Sequence, residues 1–170
     1  MNDNVLMSDL SEQDVRDRLI TPALDKAGWS ASKRRAEYSY RKDYQFTDGR
    51  IDVREGKVAR QKGKRVDYLL FKDNSHAIAV VEAKDANHEV GDGLQQAKDY
   101  ARDLDLKFAY ASNGKGFIEY DFFTGLTRKF GMNDFPQLEE LENRYRQEGN
   151  ISSRSQYSSR SDVDAGFQVA

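Results

Sequence analysis

Two apolar runs separated by five polar residues constrain this chain most: Val66-Asp67-Tyr68-Leu69-Leu70-Phe71 and Ala77-Ile78-Ala79-Val80-Val81-Glu82-Ala83-Lys84. Both are short, rich in β-branched and aromatic residues, and bounded by turn formers, so they read as buried strands. Lys72-Asp73-Asn74-Ser75-His76 between them has the composition of a tight turn, which makes the pair a hairpin. Charge stands here where a core strand should carry none. Asp67 opens the first strand, and Glu82 and Lys84 close the second. Side chains two apart in a strand share a face, so Glu82 and Lys84 point the same way. Carboxylates and an ammonium converging at a strand end carry a large desolvation cost unless something holds them there. A divalent cation between the carboxylates would do so, and a functional site is the expected reason for the pattern.

Length and composition bound the rest. A chain of 170 residues suggests one core-bearing domain, large enough to fold without cross-links. It has no Cys, which excludes disulfides and thiolate metal sites and fits a reducing cytoplasm. Met1 to Val5 lacks the basic-then-apolar order of a signal peptide, and no apolar run approaches the roughly 18 residues of a membrane span. A soluble, cytoplasmic protein with no membrane partner is expected. The net charge of -2 conceals a segregation: residues 33 to 65 hold twelve Lys or Arg against five Asp or Glu. That basic block, including Lys62, Lys64 and Arg65, suits a phosphate backbone, and suits a solvated charged loop equally well.

Along the chain, Ser8 or Ser11 is the expected cap of a first helix, with Glu12 and Asp14 in its first turn. Val15, Leu19 and Ala23 form its apolar face, with Pro22 near its end, and Gly28-Trp29 breaks the pattern. Tyr38-Ser39-Tyr40, Gln45-Phe46-Thr47 and Ile51-Asp52-Val53 hint at extended structure. Gly91 to Leu104 reads as a helix whose apolar face carries Leu94, Ala97, Ala101 and Leu104. Phe108 to Ser112 and Phe117 to Asp121 read as strands around an Asn113-Gly114 turn. Phe135-Pro136-Gln137-Leu138 opens a last helix. From Glu148 six serines among Arg, Gln and Asp suggest a linker or disordered tail, so residues 1–147 are the expected domain and 148–170 the tail. His76 and His88 are the only histidines, and both read as loop residues at the surface. Trp29 and most of the tyrosines read as core or half-buried, with Tyr38, Tyr40 and Tyr44 open as base-stacking platforms.

An Asp on one strand and a Glu-x-Lys on the next, here Asp67 and Glu82-Ala83-Lys84, resembles the PD-(D/E)xK nuclease superfamily, although Val66 stands where a Pro is usual. Gln96 and Tyr100, one helical turn apart, form a Gln-x-x-x-Tyr pair on the following helix. Together with Glu12 and the run Ala111 to Asp121, the set is similar to the N-terminal endonuclease domain of type I restriction enzyme R subunits, over roughly residues 5 to 147. The resemblance implies an α/β fold with a mixed central sheet flanked by helices. It also implies a magnesium-dependent endonuclease acting on double-stranded DNA without its own sequence specificity. Magnesium, with manganese as a substitute, takes oxygen ligands and keeps several waters. Asp67 and Glu82 are the expected ligands, with the Ala83 carbonyl a third. Lys84 would orient or deprotonate the attacking water. By resemblance Glu12 adds a carboxylate through water; as residues alone, it is an ordinary acid of a helix's first turn. Gln96 and Tyr100 would contact DNA or orient the site, or Tyr100 is simply half-buried against the sheet.

No Gly-x-x-x-x-Gly-Lys-Ser/Thr run is present, so ATP is expected only in an intact R subunit, where a motor follows the nuclease. The chain thus reads as an excised fragment. The resemblance further implies methyltransferase and specificity subunits as partners. Two alternatives stand beside this reading. One is a non-catalytic DNA-binding or assembly module with a vestigial site. The other is a different nuclease of the superfamily, for repair or junction resolution.

Overall fold

A computed structural model describes residues 6–40, 45–47, 50–52 and 63–161. Ser11 caps the first helix: its hydroxyl accepts from the Asp14 N–H while Asp14 reaches back to the Ser11 N–H. Helix α1 (Glu12–Val15) passes into a π segment (Arg16–Ile20) and then into α2 (Thr21–Lys26). Pro22 therefore sits at the start of α2, not near the end of one continuous helix. Proline has no N–H to give to the preceding turn, and a Thr21 N–H reaching five residues back to the Arg16 carbonyl absorbs the mismatch.

Strands β1 (Arg34–Tyr40), β4 (Lys64–Asp73), β5 (His76–Ala83), β6 (Phe108–Ser112), β7 (Phe117–Asp121) and β8 (Leu126–Phe130) form one sheet in the order β1-β4-β5-β6-β7-β8. A separate pair joins β2 (Gln45–Thr47) and β3 (Arg50–Asp52). All neighbours in the large sheet are antiparallel except β5 and β6. That parallel step needs a crossover, and α3 (Leu94–Asp103) makes it. It also brings the carboxyl ends of β5 and β6 side by side, where α/β sheets place their sites.

Both strands of the central hairpin form as expected, with β5 buried throughout. Ala97, Tyr100 and Ala101 of α3, with Leu104 just after it, pack in one cluster with Val66, Leu69, Phe71 and Val80 of the sheet. The hairpin turn is narrower than expected. Asp73 pairs with His76, and Asp73 Oδ1 accepts from the Ser75 N–H at 3.0 Å. His76 is therefore the first residue of β5 and is buried, which corrects its reading as a surface loop residue. His88 is exposed and lies 2.9 Å from Asp85. Trp29 is fully buried.

The Asn113-Gly114 turn spans four residues between β6 and β7. Ser112 Oγ donates to the Gly116 carbonyl at 2.8 Å and Asn113 Oδ1 accepts from the Lys115 N–H at 3.0 Å. Gly114 has φ +83°, and a Cβ there would come within 2.5 Å of Leu19. The backbone conformation favours glycine, and a Cβ would also force the Leu19 side chain to give way. The sequence offered no sign of β8, which is exposed along most of its length. Its Thr127, Arg128 and Lys129 suit an edge strand that must not pair further.

Residues 136–170 form a second compact unit. Its helix α4 (Leu138–Ser161) runs through the expected end of the domain at 147, so the stretch from Glu148 to Ser161 is helical where a linker or disordered tail is expected. Residues 150–161 contain neither Pro nor Gly, and Ser, Arg and Gln are tolerated in a helix, so nothing local stops it. The helix is braced earlier by an Arg144–Glu140 pair at 2.7 Å.

Candidate active site

Asp67 and Glu82 meet at the carboxyl end of β5. The registered pairing of β4 with β5 ends at Tyr68–Val81, and from there the two carboxylates continue it. The Asp67 N–H donates to Glu82 Oε1 at 3.0 Å, and the Ala83 N–H donates to Asp67 Oδ2 at 2.8 Å. Each carboxylate thus binds the other strand's backbone. Asp67 is 9% exposed and Glu82 4%. Glu82 lies two residues beyond Val80 and shares its face, the face that α3 covers. Burial first, and the neighbouring Asp67 charge second, push the Glu82 carboxyl up to about 9. Lys84 offsets this only in part.

Lys84 leaves the strand with its N–H donated to the Ser112 carbonyl at 2.9 Å. Its ammonium donates to Gln96 Oε1 at 3.4 Å, and Gln96 Nε2 donates to the Tyr100 hydroxyl at 2.7 Å. The Gln-x-x-x-Tyr pair therefore touches the Glu-x-Lys strand through Lys84. Gly93, just before α3, makes this approach possible: a Cβ there would lie 3.3 Å from Ala111 Cβ and 3.4 Å from Lys84 Cγ. Tyr100 packs edge-on against Tyr40 with centroids 6.2 Å apart. Tyr40 is buried and donates to Asp103 Oδ2 at 2.7 Å, so its ring is no open stacking platform. Tyr38 is half-buried, and Tyr44 lies outside the described residues.

The remaining candidates do not all converge. Glu12 is exposed on α1, and among the described residues no three His, Cys, Asp or Glu side chains group as a metal site. From this helical segment the side chain that reaches Asp67 is that of Arg16, one turn after Glu12. Arg16, 8% exposed, donates from Nη1 to Asp67 Oδ1 at 3.3 Å and from Nη2 to Glu37 Oε1 at 3.3 Å. Sequence reading missed it. The available signal was its position four residues before Ile20 and eight before Leu24, both fully buried: a charge on a helix face that is otherwise core. In the basic block, Lys62 lies outside the described residues. Lys64 pairs with Asp103 at 2.7 Å, and Arg65 lies 3.8 Å from Glu37. Both have acidic partners within the fold.

The arrangement can concentrate negative charge on two hard oxygen donors and hold one ammonium beside them. Comparison with known proteins gives it a context. Residues 36–119, which include every group just described except Glu12, Arg16 and the buried Ile20 and Leu24, match the family described as the second domain of the type I restriction enzyme EcoKI endonuclease subunit. A fragment of an HsdR subunit of a type I restriction enzyme from Vibrio vulnificus superposes with a TM-score of 0.65 at 41% identity, over 82% of this chain. The chain belongs to the type I restriction enzyme R-subunit family. The EcoAI endonuclease subunit of Escherichia coli is 35% identical over 139 residues, or 79% of this chain. The chain spans 16% of that curated relative's length and 26% of the Vibrio vulnificus chain. Its six-stranded mixed sheet with flanking helices is the expected α/β fold of the R-subunit endonuclease region. No helix among the described residues is long and apolar enough to cross a membrane.

Proposed function

We propose that the Asp67, Glu82 and Lys84 end of the sheet is a magnesium-dependent site that hydrolyses phosphodiester bonds of double-stranded DNA without reading sequence itself. The observation that carries this reading is the buried Asp67–Glu82 pair, two carboxylates whose charge repels and whose burial penalises ionisation. Such a pair costs stability unless a cation offsets it. The donor set is all oxygen, which fits magnesium and, as a substitute, manganese. Asp67 and Glu82, with the Ala83 carbonyl, would hold the ion, which when bound lowers the pKa of a coordinated water and offsets phosphate charge.

The chain's own groups do the rest. Asp67 and Glu82 are held in place by the backbone N–H groups they accept from, so little reordering is needed. Lys84 presents an ammonium beside them, steered by Gln96, and would hold or move the proton of the attacking water and balance charge on the phosphoryl oxygens. Tyr100 fixes Gln96 in turn. Glu12 has no part in this scheme. The names of the relatives support an endonuclease within a larger assembly. The reading therefore includes methyltransferase and specificity subunits as partners, and an ATP-dependent motor in the complete subunit.

Magnesium titration by calorimetry tests the reading directly. The chain should bind the ion and Asp67→Ala should not. Incubated with supercoiled plasmid in the complete subunit, magnesium should produce nicks that Lys84→Ala abolishes. A chain that binds neither magnesium nor manganese would make the site vestigial and leave a DNA-binding or assembly module.

A further inference from the structure

Asp67 has two oxygens with different partners. Oδ2 faces the Ala83 N–H, whereas Oδ1 faces the Arg16 guanidinium at 3.3 Å. Arg16 is itself held unevenly. Its Nη2 contacts both Gln13 Oε1 and Glu37 Oε1, and its buried Nε has no partner among the described residues. Its backbone is pinned, because the π segment directs the Arg16 carbonyl at the Thr21 N–H and at the Tyr68 hydroxyl, 3.1 Å away. Only the side chain is free to choose between acids. Glu37 reaches it from β1 with φ +53°, a left-handed conformation that a glutamate adopts at some cost. Ala36 pairs with Tyr68 and Tyr38 with Val66, so Glu37 stands opposite Asp67 across the strands. Beside the guanidinium lies a cavity of about 300 Å³, lined by Arg16, Gln13, Thr21, Arg34, Glu37 and Tyr68 among others.

We infer that Arg16 is a positioning residue that competes with the metal for Asp67, and that Glu37 is the acid to which it withdraws. This rests on the reading of Asp67 and Glu82 as metal ligands. Without a divalent ion, the guanidinium stands in for it on Asp67 Oδ1. When an ion is bound, two cations cannot share that oxygen without strong repulsion. The guanidinium then keeps its Glu37 contact, moves toward the cavity and frees Oδ1. A buried Arg between two acids need never be left unpaired in either state, which avoids the penalty of a bare buried charge.

The test is manganese binding to the full chain, followed by calorimetry and by the rise in Tm on adding the ion. Arg16→Met should tighten manganese by roughly tenfold, since a competing charge is gone, and should enlarge the Tm rise. Arg16→Lys should return affinity toward that of the native chain. Glu37→Gln should weaken binding about threefold in the native background, because Arg16 is then driven back onto Asp67. In the Arg16→Met background it should have no effect. Simple loss of a nearby negative charge would instead weaken binding equally in both backgrounds, so this cycle separates the two causes. If Arg16→Met folds only with manganese present, that dependence is itself the expected result in extreme form. Unchanged or weaker manganese binding by folded Arg16→Met overturns the inference while leaving the metal site standing. Absence of binding by the native chain overturns the metal site, and this inference with it.

Discussion

Glu82 and Glu119 are both buried carboxylates on strands of the same sheet, at 4% and 2% exposure, yet their surroundings differ in kind. Glu119 on β7 accepts from the Tyr110 hydroxyl at 2.7 Å and from Arg128 Nε at 2.9 Å. The fold provides its counter-charge. Glu82 on β5 faces a second carboxylate and receives one backbone N–H from Asp67. The first arrangement is complete and stabilises the β6–β7–β8 edge. The second is balanced only in part, by the Arg16 guanidinium on Asp67 Oδ1, and under the function proposed above a metal ion completes it. Burial of charge alone therefore does not mark a site. The lack of a matching partner does.

Mutation at each end can break or sharpen that contrast. The largest effect is expected at Lys84. Lys84→Ala should reduce cleavage by the complete subunit by roughly 10²–10³-fold in single-turnover assays, as loss of one transition-state donor does. Magnesium affinity should hold, and a loss of metal binding would make Lys84 structural. Next comes Glu119→Ala, which should destabilise the chain by about 1–3 kcal/mol in urea unfolding, since it removes a buried acceptor of the Tyr110 hydroxyl and an ion-pair partner of the half-exposed Arg128. Glu82→Gln should go the other way and stabilise the metal-free chain by about 1 kcal/mol at neutral pH, because a neutral amide spares the chain the proton that the buried carboxyl must take up on folding. Equal signs for the two would erase the distinction between them.

A pH titration gives a subtler contrast. The folded Glu82 carboxyl is raised to about 9 from an ordinary 4.5, so the folded state keeps a proton that the unfolded state has lost. Stability of the metal-free chain should be greatest below about 4.5 for this group and fall as pH rises toward 9. Magnesium should flatten that fall, and an identical slope in Glu82→Gln would assign it elsewhere. The smallest effect concerns salt. If the basic block follows a DNA backbone, neutralising Lys62, Lys64 and Arg65 together should lower the slope of log affinity against log salt by at most about three. Lys64 and Arg65 already have acidic partners, so a smaller change is expected, with an unchanged slope pointing to a solvated face.

The sequence was informative where periodicity and charge coincide. The hairpin, α3 and the β6–β7 turn follow from alternation, helical spacing and Asn-Gly chemistry, and Asp67, Glu82 and Lys84 stood out as charges in apolar runs. Gln96 and Tyr100 were visible as an i, i+4 pair, but not their contact with Lys84, which depends on the bare Gly93 backbone. Arg16 was hidden because a helix face with one charge reads as amphipathic noise until its partner, 51 residues away, is in place. β8 was hidden because an exposed edge strand buries too little to impose alternation. The continuation of α4 to Ser161 was hidden because serine-rich composition argues against a core, and a helix does not need one to be continuous over a few turns.

The way the hairpin is fastened at its working end has one more consequence. Beyond Tyr68–Val81, β4 and β5 are joined by side-chain oxygens holding the Asp67 and Ala83 amides. Those two protons are thereby wired to the same carboxylates that a ligand would claim. Amide exchange at Asp67 and Ala83 should respond to occupancy while Leu69 and Val80, deeper in the same ladder, stay silent. Two neighbouring resonances would then read out the state of the site without any substrate being turned over.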